Sequence, residues 1–352
     1  MLKVLELFGG IGACSKALTN LGIEHEIVDL VEIDKYAVKS FNAVHGTNFE
    51  PQDITTWDKD IEVDLIMHGS PCQDFSVAGK QLGGEEGSGT RSSLMYETLR
   101  IVKNLRPKYV IWENVKGLLS AKHRANFDRY QSEMTALGYV NYWRVLNAKD
   151  YGVPQNRERV FTVSIMKPGS VPWAVLPYIA LFKFPEPMEL TKTLRDVLEE
   201  EVDEKYYISP DQVDKLLASN YDQNKRFYRP DGISPTLNTM GGGQRQPKIV
   251  ASRGRYDENG KVYQNFESRK DGLTNTITSV QKDNYLRVEC IKSYIRKLTP
   301  KECWRLMGFD DADFERAEKV NSNTQLYKQA GNSIVVNVLM AIFRELLNGS
   351  TN

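Results

Sequence analysis

Short apolar strands alternate with helical stretches along the first 167 residues, and this rhythm constrains the fold more than any other feature. Such alternation predicts an α/β domain, a doubly wound and mostly parallel sheet with helices on both faces. Ligands of these sheets bind at the carboxyl ends of the strands. The predicted strands are Val4–Leu7, Ile27–Val31, Leu65–His68, Tyr109–Glu113, Tyr142–Leu146 and Val160–Ile165, and the predicted helices lie near Cys14–Leu21, Lys35–His45, Ser92–Leu105 and Asn126–Leu137.

The sequence changes in character after about Lys167. Five prolines cluster between residues 168 and 187, and residues 221 to 288 are rich in Gly, Asn, Thr, Arg and Tyr. This region contains a degenerate repeat, in which Asp231–Thr239 resembles Asp271–Ser279. The repeat indicates either two structural units that face one ligand or an incidental duplication. We expect a smaller, loop-rich β domain at 168–298, inserted between a domain at 1–167 and a C-terminal segment at 299–352.

The C-terminal segment is predicted to be helical. Thr299, Pro300 and Glu302 form a strong helix start, with an N-cap residue, a proline in the first turn and an acid after it. The last predicted helix, about Ser333 to Leu347, is strongly apolar, so we expect it to pack back on the first domain.

Charge and cysteine content limit the classes of function. The chain carries 46 basic and 46 acidic residues, but residues 221–297 hold 15 Lys/Arg against 8 Asp/Glu, a local basic surface of the kind that binds phosphate. The four cysteines form no CxxC pair and no histidine lies at ligand spacing, so neither a metal site nor a disulfide framework is expected. With no signal peptide and no run of about 18 uncharged apolar residues, we expect a cytoplasmic protein without a membrane span.

The first motif that carries chemistry is the glycine-rich turn Phe8–Gly12, placed between a strand and a helix. Glycines there let a ligand approach the backbone, although a tight turn without a ligand would look the same. The dinucleotide fingerprint would need glycine at position 15, which is Ser15. Acids follow the next strands, at Glu32, Asp34 and Asp53, and favour a nucleoside cofactor whose ribose they can hold.

The second motif, Gly69-Ser-Pro-Cys72-Gln73, follows a buried strand and places a cysteine on a loop. No histidine is positioned to activate it, so a protease-like mechanism is disfavoured. Glu113 ends the next strand, where an acid is costly unless it is used or paired. Arg157 and Arg159 start the last strand, and their spacing predicts both guanidinium groups on one face, suited to an anion or a carbonyl oxygen.

Taken in order, these motifs resemble the DNA (cytosine-5)-methyltransferase family of bacterial and phage type. The resemblance spans the chain from Phe8 to the final helix and includes Gln329-Ala-Gly-Asn-Ser333. It implies methyl transfer from S-adenosyl-L-methionine to C5 of a cytosine flipped out of duplex DNA, leaving S-adenosyl-L-homocysteine. Cys72 would attack C6, Glu113 would bind the N3/N4 edge, Arg157 would contact O2 and Arg159 would support the site.

The same resemblance assigns the remaining site residues. The expected cofactor contacts are Phe8, Gly10, Ile11, Gly12, Glu32, Ile33, Asp53, Ile54, Pro71, Leu94, Asn332 and Ser333. The expected DNA contacts are Gln73, Ser76, Arg91, Arg226, Arg229, Arg245, Arg253 and Arg255, the last five reading guanine or gripping phosphate. The loop Val77–Arg91, with five glycines, is expected to close over the DNA as a lid.

Two other functional hypotheses stay open. One is a tRNA cytosine-5 methyltransferase, which the sizeable basic segment disfavours. The other is a non-catalytic DNA-binding module of the same fold, which the retained Cys72 and Glu113 disfavour. The motifs assign no base for the C5 proton and no recognition sequence. We expect a monomer on double-stranded DNA, without a metal, whose restriction endonuclease partner, if any, would be a separate protein.

Overall fold

The computed structural model describes residues 1–71, 94–169, 181–218, 226–240, 246–250, 255–256, 262–263 and 295–348. Strands in these ranges are β1 Leu2–Leu7, β2 His25–Val31, β3 Leu65–His68, β4 Tyr109–Val115, β5 Tyr139–Asn147, β6 Gln155–Asn156, β7 Glu158–Met166, β8 Phe227–Tyr228, β9 Ser234–Pro235, β10 Lys248–Val250, β11 Arg255–Tyr256, β12 Val262–Tyr263 and β13 Ile295–Lys297. Helices are α1 Ala13–Asn20, α2 Lys35–His45, α3 Met95–Leu105, α4 Arg124–Ala136, α5 Pro210–Leu217, α6 Pro300–Arg305, α7 Asp311–Glu318, α8 Asn323–Asn332 and α9 Val336–Asn348.

Six strands form the central sheet, in the order β2-β1-β3-β4-β7-β5. Strands β2, β1, β3 and β4 pair in parallel, whereas β7 pairs antiparallel with both β4 and β5. The α/β class and the six predicted strands are confirmed. The reversed direction of β7 is a feature that the alternating pattern did not predict.

Both faces of the sheet are covered, as a doubly wound fold requires. Val4, Leu65 and Ile111 face a core shared with α1 and α9, while Leu5 and Trp112 face a second core shared with α3 and α4. This two-residue alternation is the side-chain period of a strand. Strands β1, β3 and β4 therefore place apolar side chains on both faces, which explains the apolar runs in these parts of the sequence.

The C-terminal segment packs against the first helix of the chain. Thr299 and Glu302 form a reciprocal capping box at the start of α6, as the sequence predicts. Lys16 of α1 forms ion pairs of 2.7 Å with Asp310 and Asp313, which join the two ends of the chain. Helix α9 packs on α1 in the same core, which confirms the predicted return of the last helix.

One stretch, Asn323–Leu347, is long and apolar enough to cross a membrane by length and composition. It comprises α8 and α9 with a break at residues 333–335, and 56% of its most apolar window is buried inside the protein. Its apolar character follows from its place in the core.

The inserted segment is tied to the first domain where the structure describes it. Strand β9 pairs in parallel with β6, and Leu237 and Met240 belong to the same core as the central sheet. Gly331 in α8 lies directly under the backbone of this segment, because a Cβ at position 331 would lie 2.0 Å from the carbonyl oxygen of Asn238. A glycine is therefore needed in the predicted Gln329–Ser333 motif.

We expect Gly331→Ala to lower the free energy of unfolding by about 1–3 kcal/mol, because the added methyl group collides with a backbone rather than with a movable side chain. Thermal or urea unfolding measures the change. Gly169→Ala is the matched control, since a Cβ at Gly169 meets nothing within 4 Å. Equal stability of the two variants would contradict the close approach of α8 and residue 238.

Candidate active site

The loop between β1 and α1 turns through three residues with positive φ. Phe8, Gly10 and Gly12 have φ values of 53°, 57° and 79°. At Gly12 a side chain is excluded by space as well, because a Cβ would lie 2.1 Å from Nε2 of His45. A Cβ at Gly10 would meet nothing within 4 Å, so the backbone there is open to a ligand at the carboxyl end of β1.

Glu32 holds this loop from the end of the neighbouring strand β2. Its carboxylate accepts hydrogen bonds from the backbone N–H groups of Gly10, at 3.1 Å, and Asp34, at 2.8 Å. Burial raises the pKa of the Glu32 carboxyl, and these N–H donors oppose the rise. Beside it, Ile33 is 69% exposed, which leaves an apolar side chain at the strand end for a planar ring to pack on.

Asp53 and Ile54 lie on a segment bonded to the same strand end. The backbone N–H of Gln52 donates to the carbonyl oxygen of Glu32 at 2.9 Å. Asp53 is exposed and accepts a hydrogen bond from the backbone N–H of Thr55, whereas Ile54 is buried. The acids predicted to follow successive strands are thus brought to one edge of the sheet.

A cavity of about 50 Å³ lies between the glycine-rich loop, β4 and the C-terminal segment. Four of the predicted cofactor residues line it, and so does the predicted catalytic acid Glu113. The four are Phe8, Gly10, Asn332 and Ser333. Residues more than 300 positions apart therefore form one cavity, as the sequence motifs predict.

Glu6 also lines this cavity, and the sequence analysis did not single it out. Its carboxylate accepts hydrogen bonds from the backbone N–H of Ser15, at 3.0 Å, and from the Ser15 hydroxyl. Burial raises the pKa of Glu6 to about 7, although these hydrogen bonds oppose the rise. The signal in the sequence was an acid within the apolar strand Val4–Leu7.

Glu113 forms an ion pair with Arg159, with 3.0 Å between Oε1 and Nε. The reversed direction of β7 explains the contact: Arg159 pairs with Val115, so the start of β7 lies beside the end of β4. Burial raises the pKa of the Glu113 carboxyl, while the charges of Arg159 and Arg157 lower it. The side chains of Glu113 and Arg159 are 11% and 16% exposed, which favours strong charge interactions with a ligand.

Arg157 has a different set of partners from Arg159. Its guanidinium group donates to the carbonyl oxygens of Leu237 at 2.9 Å, Gly331 at 3.1 Å and Ser333 at 2.8 Å. Residue 157 lies in the break between β6 and β7, so the two-residue period that predicted a shared face does not extend to it. The two arginines thus have different partners, although both charges act on Glu113: Arg159 pairs with it, and Arg157 is 3% exposed and binds three backbone carbonyls.

Other predicted residues lie at or beyond the edges of the described ranges. Pro71 and Leu94 stand on either side of residues 72–93, and only backbone is described for Arg255. Arg226 is exposed, and Arg229 pairs with Asp231 at 2.8 Å. Outside the described residues lie Cys72, Gln73, Ser76, the loop Val77–Arg91 with Arg91, Arg245, Arg253 and the second repeat copy Asp271–Ser279.

In the ranges described, no group of three or more His, Cys, Asp or Glu side chains could hold a metal ion.

Comparison with known proteins identifies a family and relatives of this chain. A model of the C-5 cytosine-specific DNA methylase family matches residues 2–348. The orphan methyltransferase M.SPBetaI of Bacillus phage SPbeta is 35% identical, covering 100% of this chain and 98% of its own length. The type II methyltransferase M2.ScrFI of Lactococcus lactis subsp. cremoris is 34% identical, with coverage of 98% and 99%. The crystal structure of S. pombe Dnmt2 methyltransferase shares the fold at a TM-score of 0.68 and 21% identity, with each chain covered fully.

The buried Glu6 predicts a pH dependence of stability. Its pKa is about 7 in the folded protein against an ordinary value of 4.5, so this group favours the folded state most at low pH. Its contribution falls as the pH rises from about 4.5 to about 7, by roughly 3 kcal/mol at most. Relative to wild type, Glu6→Gln is expected to gain thermal stability over this window and to keep the gain above it.

Thermal unfolding between pH 4.5 and pH 8 measures this difference. The exposed Glu189 offers a matched control, and Glu189→Gln is expected to follow the wild-type curve. Parallel curves for wild type and Glu6→Gln would show that burial does not raise the pKa of the Glu6 carboxyl.

Proposed function

The chain belongs to the C-5 cytosine-specific DNA methylase family, and on that premise we propose that it methylates a flipped-out cytosine in duplex DNA through a covalent bond between Cys72 and C6. As a member of this family it is a DNA (cytosine-5-)-methyltransferase. The observation that carries the finer proposal is the buried Glu113–Arg159 pair, which adjoins the cavity formed by the glycine-rich loop.

The residues around the loop fit S-adenosylmethionine. Glu32 has lone pairs left to accept ribose hydroxyl groups, and the exposed side chain of Ile33 offers an apolar surface to the adenine. Asp53 and the backbone at Ile54 lie on the adjoining segment and would contact the adenine edge. Gly10, Asn332 and the other cavity residues would surround the amino-acid end, with Ile11 and Gly12 shaping the loop and Pro71 and Leu94 near its rim.

When bound, S-adenosylmethionine supplies an electrophilic methyl group. Cys72 activates the acceptor: its thiolate attacks C6, the C5–C6 electron pair shifts toward C5, and C5 becomes nucleophilic. Glu113 assists by hydrogen bonding to the N3/N4 edge of the ring, and its raised pKa favours a proton that it can share with N3. After methylation, loss of the C5 proton restores the double bond and expels Cys72, which yields 5-methylcytosine.

The sequence-based assignment gave the O2 contact to Arg157 and the supporting role to Arg159, and we propose the reverse. Arg159 pairs with Glu113, which lines the cavity, and its guanidinium group donates to fewer backbone carbonyls than that of Arg157, so we assign it to the cytosine O2. Arg157 already donates to three carbonyl oxygens, and turning it toward a base would leave those buried groups without their donor. Its role is to hold the C-terminal segment and the inserted segment against the site.

The basic segment at 221–297 would bind the DNA, as the target-recognition part of the chain. Arg226 is exposed and suited to a phosphate contact, whereas Arg229 is engaged by Asp231. The protein would act in the cytoplasm as a monomer. The phage relative is named an orphan methyltransferase and the Lactococcus relative a type II methyltransferase, so an endonuclease partner, where present, would be a separate protein.

Transfer of radiolabelled methyl groups from S-adenosylmethionine tests the proposal directly. We expect label on unmethylated duplex DNA, none on tRNA, and complete loss with Cys72→Ala, because the proposed adduct forms through the Cys72 thiolate. Label on tRNA alone would move the protein to RNA methylation. Unaltered labelling of DNA by Cys72→Ala would exclude the covalent mechanism.

The roles of the arginines predict two different losses. Arg159→Gln is expected to lower kcat by roughly 100-fold, because it removes a charge beside the reacting ring, and to cost less thermal stability than Arg157→Met. Arg157→Met is expected to lower the unfolding temperature, because each carbonyl left without a donor costs about 1–3 kcal/mol. Steady-state kinetics and thermal unfolding of both variants separate the two effects. A stable but inactive Arg157→Met variant would restore the original assignment.

A further inference from the structure

Strand β3 ends before its neighbour β4 does. The β3–β4 ladder stops at the pair His68–Trp112, although β4 continues to Val115 along β7. Residues 69–71, which lead to Cys72, therefore run beside Glu113 without ladder hydrogen bonds to β4 among the described residues. Their position has to be set by other contacts.

Ser70 provides these contacts. Its hydroxyl oxygen accepts a hydrogen bond from Nε1 of Trp112 at 3.0 Å and a longer one, 3.4 Å, from Nδ2 of Asn114. The same Nδ2 lies 3.3 Å from the Ser70 carbonyl oxygen. All three residues are at most 4% exposed, so water does not compete for these bonds. The Ser70 side chain thus links this segment to β4 beyond the point where the β3–β4 backbone hydrogen bonds end.

The donor Trp112 is itself held in place. Its ring stacks on His68, with 5.7 Å between ring centroids and 6° between planes, and lies 4.3 Å from Tyr130. His68 shares a hydrogen bond of 2.9 Å with the Tyr130 hydroxyl, and burial lowers the pKa of His68 to about 3, which keeps the ring neutral. The acceptor geometry at Ser70 is therefore set by a rigid aromatic cluster.

Glu113 stands between the two residues that bind Ser70. Side chains alternate along β4, so Trp112 and Asn114 point to one face of the sheet and Glu113 points to the other. Gly69 follows the face of Glu113, because a Cβ at Gly69 would lie 3.7 Å from Oε2 of Glu113. Gly69 and Ser70 therefore contact side chains on opposite faces of β4: Gly69 lies near Glu113, and Ser70 binds Trp112 and Asn114.

We propose that Ser70 is a positioning residue for methyl transfer: its side chain fixes the approach to Cys72 relative to Glu113, so that both groups reach the same pyrimidine ring. The inference rests on the proposed function of Cys72. The task of keeping nucleophile and acid in register thus falls to a serine that does not line the cavity.

The test measures formation of the covalent adduct with duplex DNA in which 5-fluorocytosine replaces cytosine, in the presence of S-adenosylmethionine. Fluorine at C5 cannot leave as a proton does, so the Cys72–C6 bond persists and is counted on a denaturing gel. We expect Ser70→Ala to form the adduct about 10- to 100-fold more slowly than wild type, with unchanged affinity for S-adenosylhomocysteine. Ser70→Thr keeps the hydroxyl and is expected to restore most of the rate.

Ser164→Ala is the matched control. Ser164 is a buried serine of the same sheet, its hydroxyl donates to Asn141 at 2.6 Å, and it has no contact with the site. We expect it to form the adduct at the wild-type rate. Ser70→Ala at the wild-type rate would overturn the inference, and so would a slower rate accompanied by equal loss of S-adenosylhomocysteine affinity. Absence of adduct with wild type, despite cofactor binding, would instead reject the proposed function.

Discussion

The buried guanidinium group of Arg157 is the interaction on which the site depends. It donates hydrogen bonds to the carbonyl oxygens of Leu237, Gly331 and Ser333. Leu237 belongs to the inserted segment, and the other two residues belong to the C-terminal segment. A buried cation is costly unless it is hydrogen-bonded and balanced by charge. Here the carbonyls supply the acceptors, and Glu113 is close enough for Arg157 to lower its pKa. The same charge thus orders the backbone around the cavity and tunes the acid in its wall.

The direction of each strand decides which groups meet. The glycine-rich loop, Glu32 and Ser70 follow β1, β2 and β3, so their placement obeys the rule that parallel sheets bind ligands at carboxyl ends. Arg159 stands at the beginning of a strand and would lie at the opposite edge if β7 were parallel. Because β7 is reversed, its first residues lie beside the end of β4. An antiparallel strand in an otherwise parallel arrangement thus brings a cation to an edge that already carries the acid.

Sequence reasoning predicted the sheet, because apolar runs and helix starts such as Thr299 depend on local residues. It also brought Gly10, Glu113 and Asn332 to one site, through motifs rather than through geometry. It did not find the reversal of β7, since an apolar run carries no sign of strand direction. It did not find the three carbonyl partners of Arg157, because they lie 80 to 176 positions away in the sequence. Ser70 and Glu6 were passed over for a related reason: their roles come from Trp112 and Ser15, partners that only the folded chain brings near.

The cavity takes its walls from both ends of the chain, with Gly10 on one side and Asn332 on the other. During synthesis on the ribosome the first domain emerges long before residues 329–333, and until then the Arg157 guanidinium lacks two of its three acceptors. Contacts so distant in sequence are slow to form, since a long loop must close before they stabilise anything. A nascent chain would therefore hold a partly built sheet without a working cavity. A chain that stops before Asn332 would lack one wall of the cavity, however complete its sheet.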